Sequence, residues 1–188
     1  MAATLYRRAL DELAGVLGRL DEARVAAAVD AVAGARRVAL YGVGREGLQV
    51  RGLAMRLFHL GLAASVVGDM TAPPLGPGDL LLVSAGPGSF STVLALMGEA
   101  RAAGARTLVV TAQPGGAAAL AADQVLVVPA QTMADDLGAG DAGGASVLPM
   151  GSLYEGALYL LFEVLVLHLR DRLGVTSDAM RANHTNLE

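Results

Sequence analysis

The sequence predicts an α/β domain in which a five-stranded parallel sheet is doubly wound, with helices on both faces. Three observations predict it. Short apolar runs of strand length recur at residues 37–41, 63–67, 79–84, 107–111 and 124–128. Between them lie stretches with apolar residues at three- and four-residue spacing, so strands alternate with helices, the pattern of right-handed β-α-β crossovers. The composition agrees: 54% hydrophobic with only 4% aromatic and 24 glycines. A core built from small side chains suits helices packed closely on a sheet or on one another.

The elements follow in order. Residues 4–33 read as helix, with Leu5, Ala9, Leu13, Val16, Leu17 and Leu20 on one stripe. Val25, Ala28, Val29 and Val32 continue it after a break near Gly18–Asp21. The run 37–41 ends at Gly42 and reads as a buried strand; 48–60 is helical, and 63–67 is the second strand. The third strand, 79–84, leads into a loop containing Gly86, Pro87 and Gly88. Residues 92–103 are helical, with Gly104 as a C-terminal stop. Then come strand 107–111, a short helix at 117–122 and strand 124–128. Residues 134–146, rich in Gly, Ala and Asp, read as a mobile loop. A long helix covers 152–173, and 176–188 is a polar tail with room for one last turn. The organisation is a single domain: helices in 1–35, an α/β core in 36–173 and a tail in 174–188. The N-terminal helices and the long last helix lie outside the five strands and are the expected oligomer contacts.

Composition excludes several functions. The 188 residues carry a net charge of −4, so a duplex-binding surface is not expected. There is no cysteine, which removes disulfides, thiolate metal sites and thiol nucleophiles. All 14 basic residues are arginine, which removes Schiff-base and P-loop lysines. The N-terminal stretch is interrupted by Arg7, Arg8, Asp11 and Glu12, unlike a secretory signal. The most apolar stretch, 153–169, holds Glu155, Glu163 and His168 and reads as too short and too charged to cross a bilayer. A cytoplasmic protein with no membrane partner is expected. The high mean hydropathy, +0.50, then points to apolar surface between subunits.

In doubly wound sheets ligands bind beyond the carboxyl ends of the strands, where the strand order reverses. Two glycine-rich loops stand there. Gly42-Val43-Gly44-Arg45-Glu46-Gly47 matches GxGxxG between strand and helix, and Asp69 follows the second strand. That combination is compatible with a dinucleotide, or with a tight turn and nothing more. Against a dinucleotide stand Glu46, placed where a pyrophosphate would approach, and the lack of an evident catalytic domain. The second loop, Ser84-Ala85-Gly86-Pro87-Gly88-Ser89-Phe90-Ser91-Thr92, offers hydroxyls and amides at a helix start. These suit a phosphate, or a helix cap by Ser89 or Ser91.

The first loop, the block Ala54-Met55-Arg56-Leu57-Phe58-His59-Leu60-Gly61 and the stretch Val67-Gly68-Asp69-Met70-Thr71-Ala72-Pro73 resemble the sugar isomerase (SIS) domain family. The resemblance is greatest to its 6-phospho-3-hexuloisomerase branch, of the ribulose monophosphate pathway. It extends to Leu148-Pro149-Met150-Gly151-Ser152-Leu153-Tyr154-Glu155 and to the tail from Met180 to Glu188, and so spans nearly the whole chain. It implies a flavodoxin-like three-layer sandwich, a homotetramer, no metal and no organic cofactor. The implied reaction interconverts a 3-hexulose 6-phosphate and fructose 6-phosphate. The family's first loop usually reads GxGRSG and its second SGSGxT. Here Glu46 stands at one serine and Gly86 at another. A carboxylate beside a phosphate costs affinity unless Glu46 turns away or pairs with Arg45.

The resemblance makes Glu155 the acid–base residue, able to carry a proton between adjacent carbons of an enediol. Spacing alone makes Ser152-x-x-Glu155 a capping box. His184, in the tail, is implied to reach an active site, that of a neighbouring subunit, where it would open the sugar ring or shuttle a hydroxyl proton. Gly44, Arg45, Arg56, Ser84, Gly86, Ser89 and Ser91 are the expected substrate-binding residues. Arg56 reads equally as an interface or surface arginine. His59 reads as packing and His168 as a buried, satisfied histidine. No histidine pair has metal-ligand spacing. The composite expectation is a phosphosugar isomerase. Two alternatives are a non-catalytic sugar-phosphate-binding SIS protein and a dinucleotide-binding protein.

Overall fold

A computed structural model of the chain describes residues 4–135 and 146–187. Most of the 134–146 segment read as a loop lies outside the described residues. The chain runs α1 (Leu5–Leu17), α2 (Glu22–Ala33), β1 (Val38–Gly42), α3 (Gly44–His59), β2 (Ala64–Val66), β3 (Leu80–Ser84) and α4 (Ser91–Ala102). It continues with β4 (Arg106–Thr111), α5 (Ala117–Ala121), β5 (Gln124–Val127), α6 (Ser152–Leu173) and α7 (Ser177–Ala182). The break between the first two helices falls where expected. Thr4 caps α1 through the Arg7 amide, and Asp21 caps α2 by accepting from the amides of Ala23 and Arg24.

All strands are parallel, in the order β2-β1-β3-β4-β5. The order reverses between β1 and β3, where Gly42 pairs with Ser84. Both loops singled out by sequence therefore leave the sheet side by side. Alternation along each strand divides the core. Val38, Leu40, Leu80, Leu82, Leu108, Val110 and Leu126 face the layer made by α1, α2, α3 and α6. Ala39, Leu81, Val83 and Val109 face α4 and α5. Each buried valine or leucine of this kind contributes about 1.5–3 kcal/mol on burial.

The structure corrects four expectations. Leu158, Leu161, Leu165, Val166 and Leu169 of α6 are buried inside the chain's own core, not held for subunit contacts. α6 is 22 residues long and apolar enough, by length and composition, to cross a bilayer, so length does not exclude a span as the sequence suggested. Its inward face is instead filled by α1, α2, α3 and the sheet. His168 is exposed, because the inward stripe of α6 passes through positions 165, 166 and 169. α3 begins at Gly44, four residues before the expected start, so Arg45 and Glu46 belong to its first turn.

That early start depends on a close backbone approach. A Cβ on Gly47 would lie 2.5 Å from the Gly42 carbonyl oxygen, and a Cβ on Gly42 would lie 2.9 Å from the Gly47 nitrogen. The first and last glycines of the motif thus let the exit of β1 touch the first turn of α3. Gly47→Ala is expected to cost about 1–3 kcal/mol, the usual range for overpacking. The measurement is a urea titration, in which the midpoint falls with unchanged slope; an unmoved midpoint would mean the approach has room to spare.

Candidate active site

Three elements meet at the carboxyl edge of the sheet. Helix α3 brings Arg45 and Glu46 in its first turn. Strand β3 ends in Ser84, followed by Gly86, and α6 brings Ser152, Tyr154 and Glu155. The loop after β3 is fixed from below, where the Thr111 hydroxyl donates to the Ala85 carbonyl at 2.7 Å and the Ala112 amide to the Gly86 carbonyl at 3.1 Å.

Glu46 does not turn away, and no ion pair joins it to Arg45 among the described residues. Its side chain is buried, and one carboxylate oxygen, Oε2, accepts the Ser84 hydroxyl at 2.5 Å and the Gly86 amide at 3.0 Å. The carboxylate thus holds two of the donors expected to face a ligand anion. Ser84 has one hydroxyl proton, and it is given to Glu46. The 3.2 Å contact between Ser84 Oγ and the Tyr154 hydroxyl therefore has Tyr154 donating. A Cβ on Gly86 would lie 2.7 Å from the Tyr154 ring and 3.0 Å from Glu46 Oε1. The absence of a side chain at position 86 is thus the space that Tyr154 and Glu46 occupy.

Burial pushes the Glu46 carboxyl above its ordinary value; the hydrogen bonds from Ser84 and Gly86 pull it back only in part. Burial, then the Glu46 charge, push the Tyr154 phenol well above its usual range, while the Ser84 contact lowers it, so Tyr154 stays neutral.

Arg45 belongs to Glu155. Its Nε lies 3.1 Å from Glu155 Oε2, another guanidinium nitrogen donates to the Ser152 hydroxyl at 2.9 Å, and a third donates to the Met150 carbonyl. Glu155 is half-buried. Burial raises its carboxyl, Arg45 lowers it and the Glu46 charge raises it again, with a net upward shift. The capping box is not formed. α6 is entered through Met150 and Gly151, both at positive φ, the N-cap is Gly151, and Glu155 reaches to Arg45 instead.

No family model matches the chain. It is 36% identical over 178 residues to the 3-hexulose-6-phosphate isomerase of Mycobacterium gastri, covering 95% of this chain and 87% of that one. The chain belongs to the sugar isomerase (SIS) family. The 3-hexulose-6-phosphate isomerase of Bacillus subtilis is 30% identical over 159 residues, 85% of this chain and 84% of its own. Among solved structures, a Methanococcus jannaschii protein described as inferring 3-hexulose-6-phosphate isomerase function superposes with a TM-score of 0.80. That match has 24% identity and covers 98% and 97% of the two chains. A neighbour of the same fold has been solved with a sugar phosphate: the Vibrio vulnificus NanR protein, complexed with ManNAc-6P, has a TM-score of 0.72 at 23% identity over 95% of this chain and 65% of its own.

Of the residues expected to serve an SIS site, Gly44, Arg45, Ser84, Gly86 and Glu155 lie together. Ser89 and Ser91 are exposed on the loop and first turn of α4. Neither caps that helix: its N-cap is Phe90, with no side-chain cap among the described residues. Arg56 lies eleven residues beyond Arg45, about 16 Å along α3, and pairs with Glu163 at 3.2 Å. His184 packs its ring 5.0 Å from that of His59 at the far end of α3, about 21 Å from Arg45 along the helix. Asn183 donates to the His59 carbonyl and anchors the tail there. The chain's own fold thus keeps His184 away from its own Glu155. Asp69, the acid a ribose would need, faces Arg51 at 3.5 Å. Sequence reasoning missed Tyr154. Its only signal was its place beside Glu155, since a buried tyrosine on an apolar helix reads as core.

A carboxyl that is raised in the folded state binds protons more readily there than in the unfolded chain. Its contribution to stability therefore declines as pH rises from the unfolded value through the folded one. Glu46→Gln removes that penalty and keeps an acceptor for Ser84 and Gly86. The variant is expected to melt a few degrees above the wild type at pH 7–8, with the difference vanishing towards pH 4. Scanning calorimetry across that range checks the sign: a gain confined to acid pH would contradict the burial of a charge.

Proposed function

We propose that this chain isomerises a 3-hexulose 6-phosphate to fructose 6-phosphate, and back, through an enediol, with Glu155 as the proton carrier. One observation carries the reading: Glu155 stands half-buried at the switch point of the sheet, raised above ordinary glutamate by burial and aligned by Arg45. A raised carboxylate is a better matched base near neutral pH. Its ionised form takes the proton from C2 of the 3-ketose. The C–H electrons become the C2–C3 double bond, and the carbonyl oxygen on C3 takes up a proton. The return step delivers the carried proton to C3 while the C2 hydroxyl loses its own and becomes the carbonyl. Arg45, beside Glu155, is placed to stabilise the oxyanion character that develops on these oxygens.

Gly44, Ser89, Ser91 and the amides at the start of α4 would receive the phosphate, with Ser84 and Gly86 reached through Glu46. His184 would serve ring opening or a hydroxyl proton only in a neighbouring protomer's site, since its own tail is held at the far end of α3. This reading includes a homo-oligomer, a tetramer by the family resemblance. The closure of the Ser84–Gly86 donors by Glu46 favours one second reading: a sugar-phosphate-binding SIS protein without turnover.

Purified oligomer is expected to interconvert the two sugar phosphates, and its absence in folded protein would leave the binding reading. With Glu155 freed from any capping role, Glu155→Gln is expected to lower turnover by about 10²–10⁴-fold while leaving Tm nearly unchanged. The wild-type rate should fall on its acid side at a pH above that of an ordinary glutamate. A rate loss matched by lost folded protein would assign Glu155 a structural role.

Sedimentation of the purified protein at micromolar concentration tests the assembly. A discrete oligomer is expected, whereas a monomer would remove the shared-site role of His184.

A further inference from the structure

The phosphate seat of this chain is partly filled by the chain itself. Glu46 Oε2 takes the Ser84 hydroxyl and the Gly86 amide, the donors at the end of β3. An ionised carboxyl is an acceptor only, and so is a phosphate dianion, so the two cannot share hydrogen bonds and they repel. Among the described residues no cation stands by to neutralise them. The chain has no lysine, and Arg45 is engaged with Glu155, Ser152 and the Met150 carbonyl. Nor is there room for the carboxyl to swing aside. Only 6% of Glu46 is exposed, and its Oε1 lies against the bare face of Gly86 next to the Tyr154 ring. What remains is protonation. Oε2 is already committed to two donors, whereas Oε1 accepts no hydrogen bond among the described residues, so the proton belongs on Oε1. A neutral carboxylic acid carries one O–H donor, as a serine does.

We propose that the site binds its phosphosugar with Glu46 as the neutral acid, so that one proton is taken from solvent with each ligand and the Glu46 O–H acts as a phosphate donor in place of the serine hydroxyl. The inference rests on the phosphosugar isomerase reading and makes Glu46 the residue that decides in which pH range phosphate is accepted. Burial already raises the Glu46 carboxyl above its ordinary value in the free protein, which lessens the cost of taking up the proton. The charged and titratable groups around Glu46 are Arg45 on its own helix and Tyr154 and Glu155 on α6. The β3 loop contributes the Ser84 hydroxyl and the Gly86 amide, neither of them charged.

The test is isothermal titration of the oligomer with fructose 6-phosphate from pH 7 to 8.5, in two buffers of different ionisation enthalpy. The second phosphate ionisation, near pH 6, is complete in this window. Wild-type affinity is expected to fall by up to about tenfold per pH unit, with uptake approaching one proton. Glu46→Gln and Glu46→Ser should bind with flat pH dependence and more tightly than wild type at pH 8.5. Glu155→Gln, which leaves Glu46 in place, should keep the wild-type slope. A flat wild-type profile, the same slope in Glu46→Gln, or a slope abolished by Glu155→Gln would each overturn the proposal and leave the isomerase reading standing. Absence of binding by wild type, Glu46→Gln and Glu46→Ser alike would overturn both.

Discussion

The buried carboxylate of Glu46 ties together the three elements that make the mouth of the sheet. It sits in the first turn of α3, accepts from the last residue of β3 and from the loop behind it, and through Ser84 engages Tyr154 of α6. Taking a charge out of water is costly unless donors replace the water. Here two donors converge on one oxygen and a tyrosine extends the chain of bonds. The glycines at 42 and 47 allow the carboxyl to arrive, and the bare α-carbon at 86 leaves room for it. Neither would serve without the other, so the site is a set of mutually fitted choices and not a list of separate residues.

The same economy governs α6. Its apolar stripe closes the core over β1, β3 and β4, while its first turn holds Tyr154 and Glu155 against α3. One helix therefore supplies both core packing and site chemistry. The two are separable because the chemistry is confined to the turn that follows Gly151. Arg45 spans the gap between the helix starts and ties the first turn of α3 to Ser152 and Glu155 of α6.

Much of the architecture could be read from the chain. The five apolar runs became the five strands to within a residue or two, and Gly18–Asp21 became the break between two capped helices. The alternation of strand and helix pointed to a parallel sheet, although the connection from β2 to β3 contains no helix. Within the site, Arg45, Ser84 and Gly86 could be picked out because they lie on the loops that follow strands at the switch point, whereas Glu155, on α6, was reached only through the family resemblance. Three features were not legible, each for a physical reason. A carboxyl hydrogen-bonded to a residue 38 positions away leaves no local pattern, so Glu46 read as an obstacle and not as a partner. Ser152 and Glu155 satisfy the capping-box spacing, but a left-handed entry through Gly151 sends both side chains elsewhere. The phase of α6 could not be fixed when nearly every position is apolar, which is how His168 came to be placed inside.

At the opposite edge of the sheet, buried Asp79 accepts from Arg36 at 2.8 Å and from the Gly76 amide. Asp123 there holds both the amide and the hydroxyl of Thr107. These clasps fasten the entrances of β3 and β4, at the end of each strand remote from Ser84. What keeps the strands aligned is thus spatially separate from what meets a ligand. Residues at the mouth of this scaffold can therefore be exchanged while the registration of its strands is guarded elsewhere, so that a change of ligand preference at one rim need not dismantle the other.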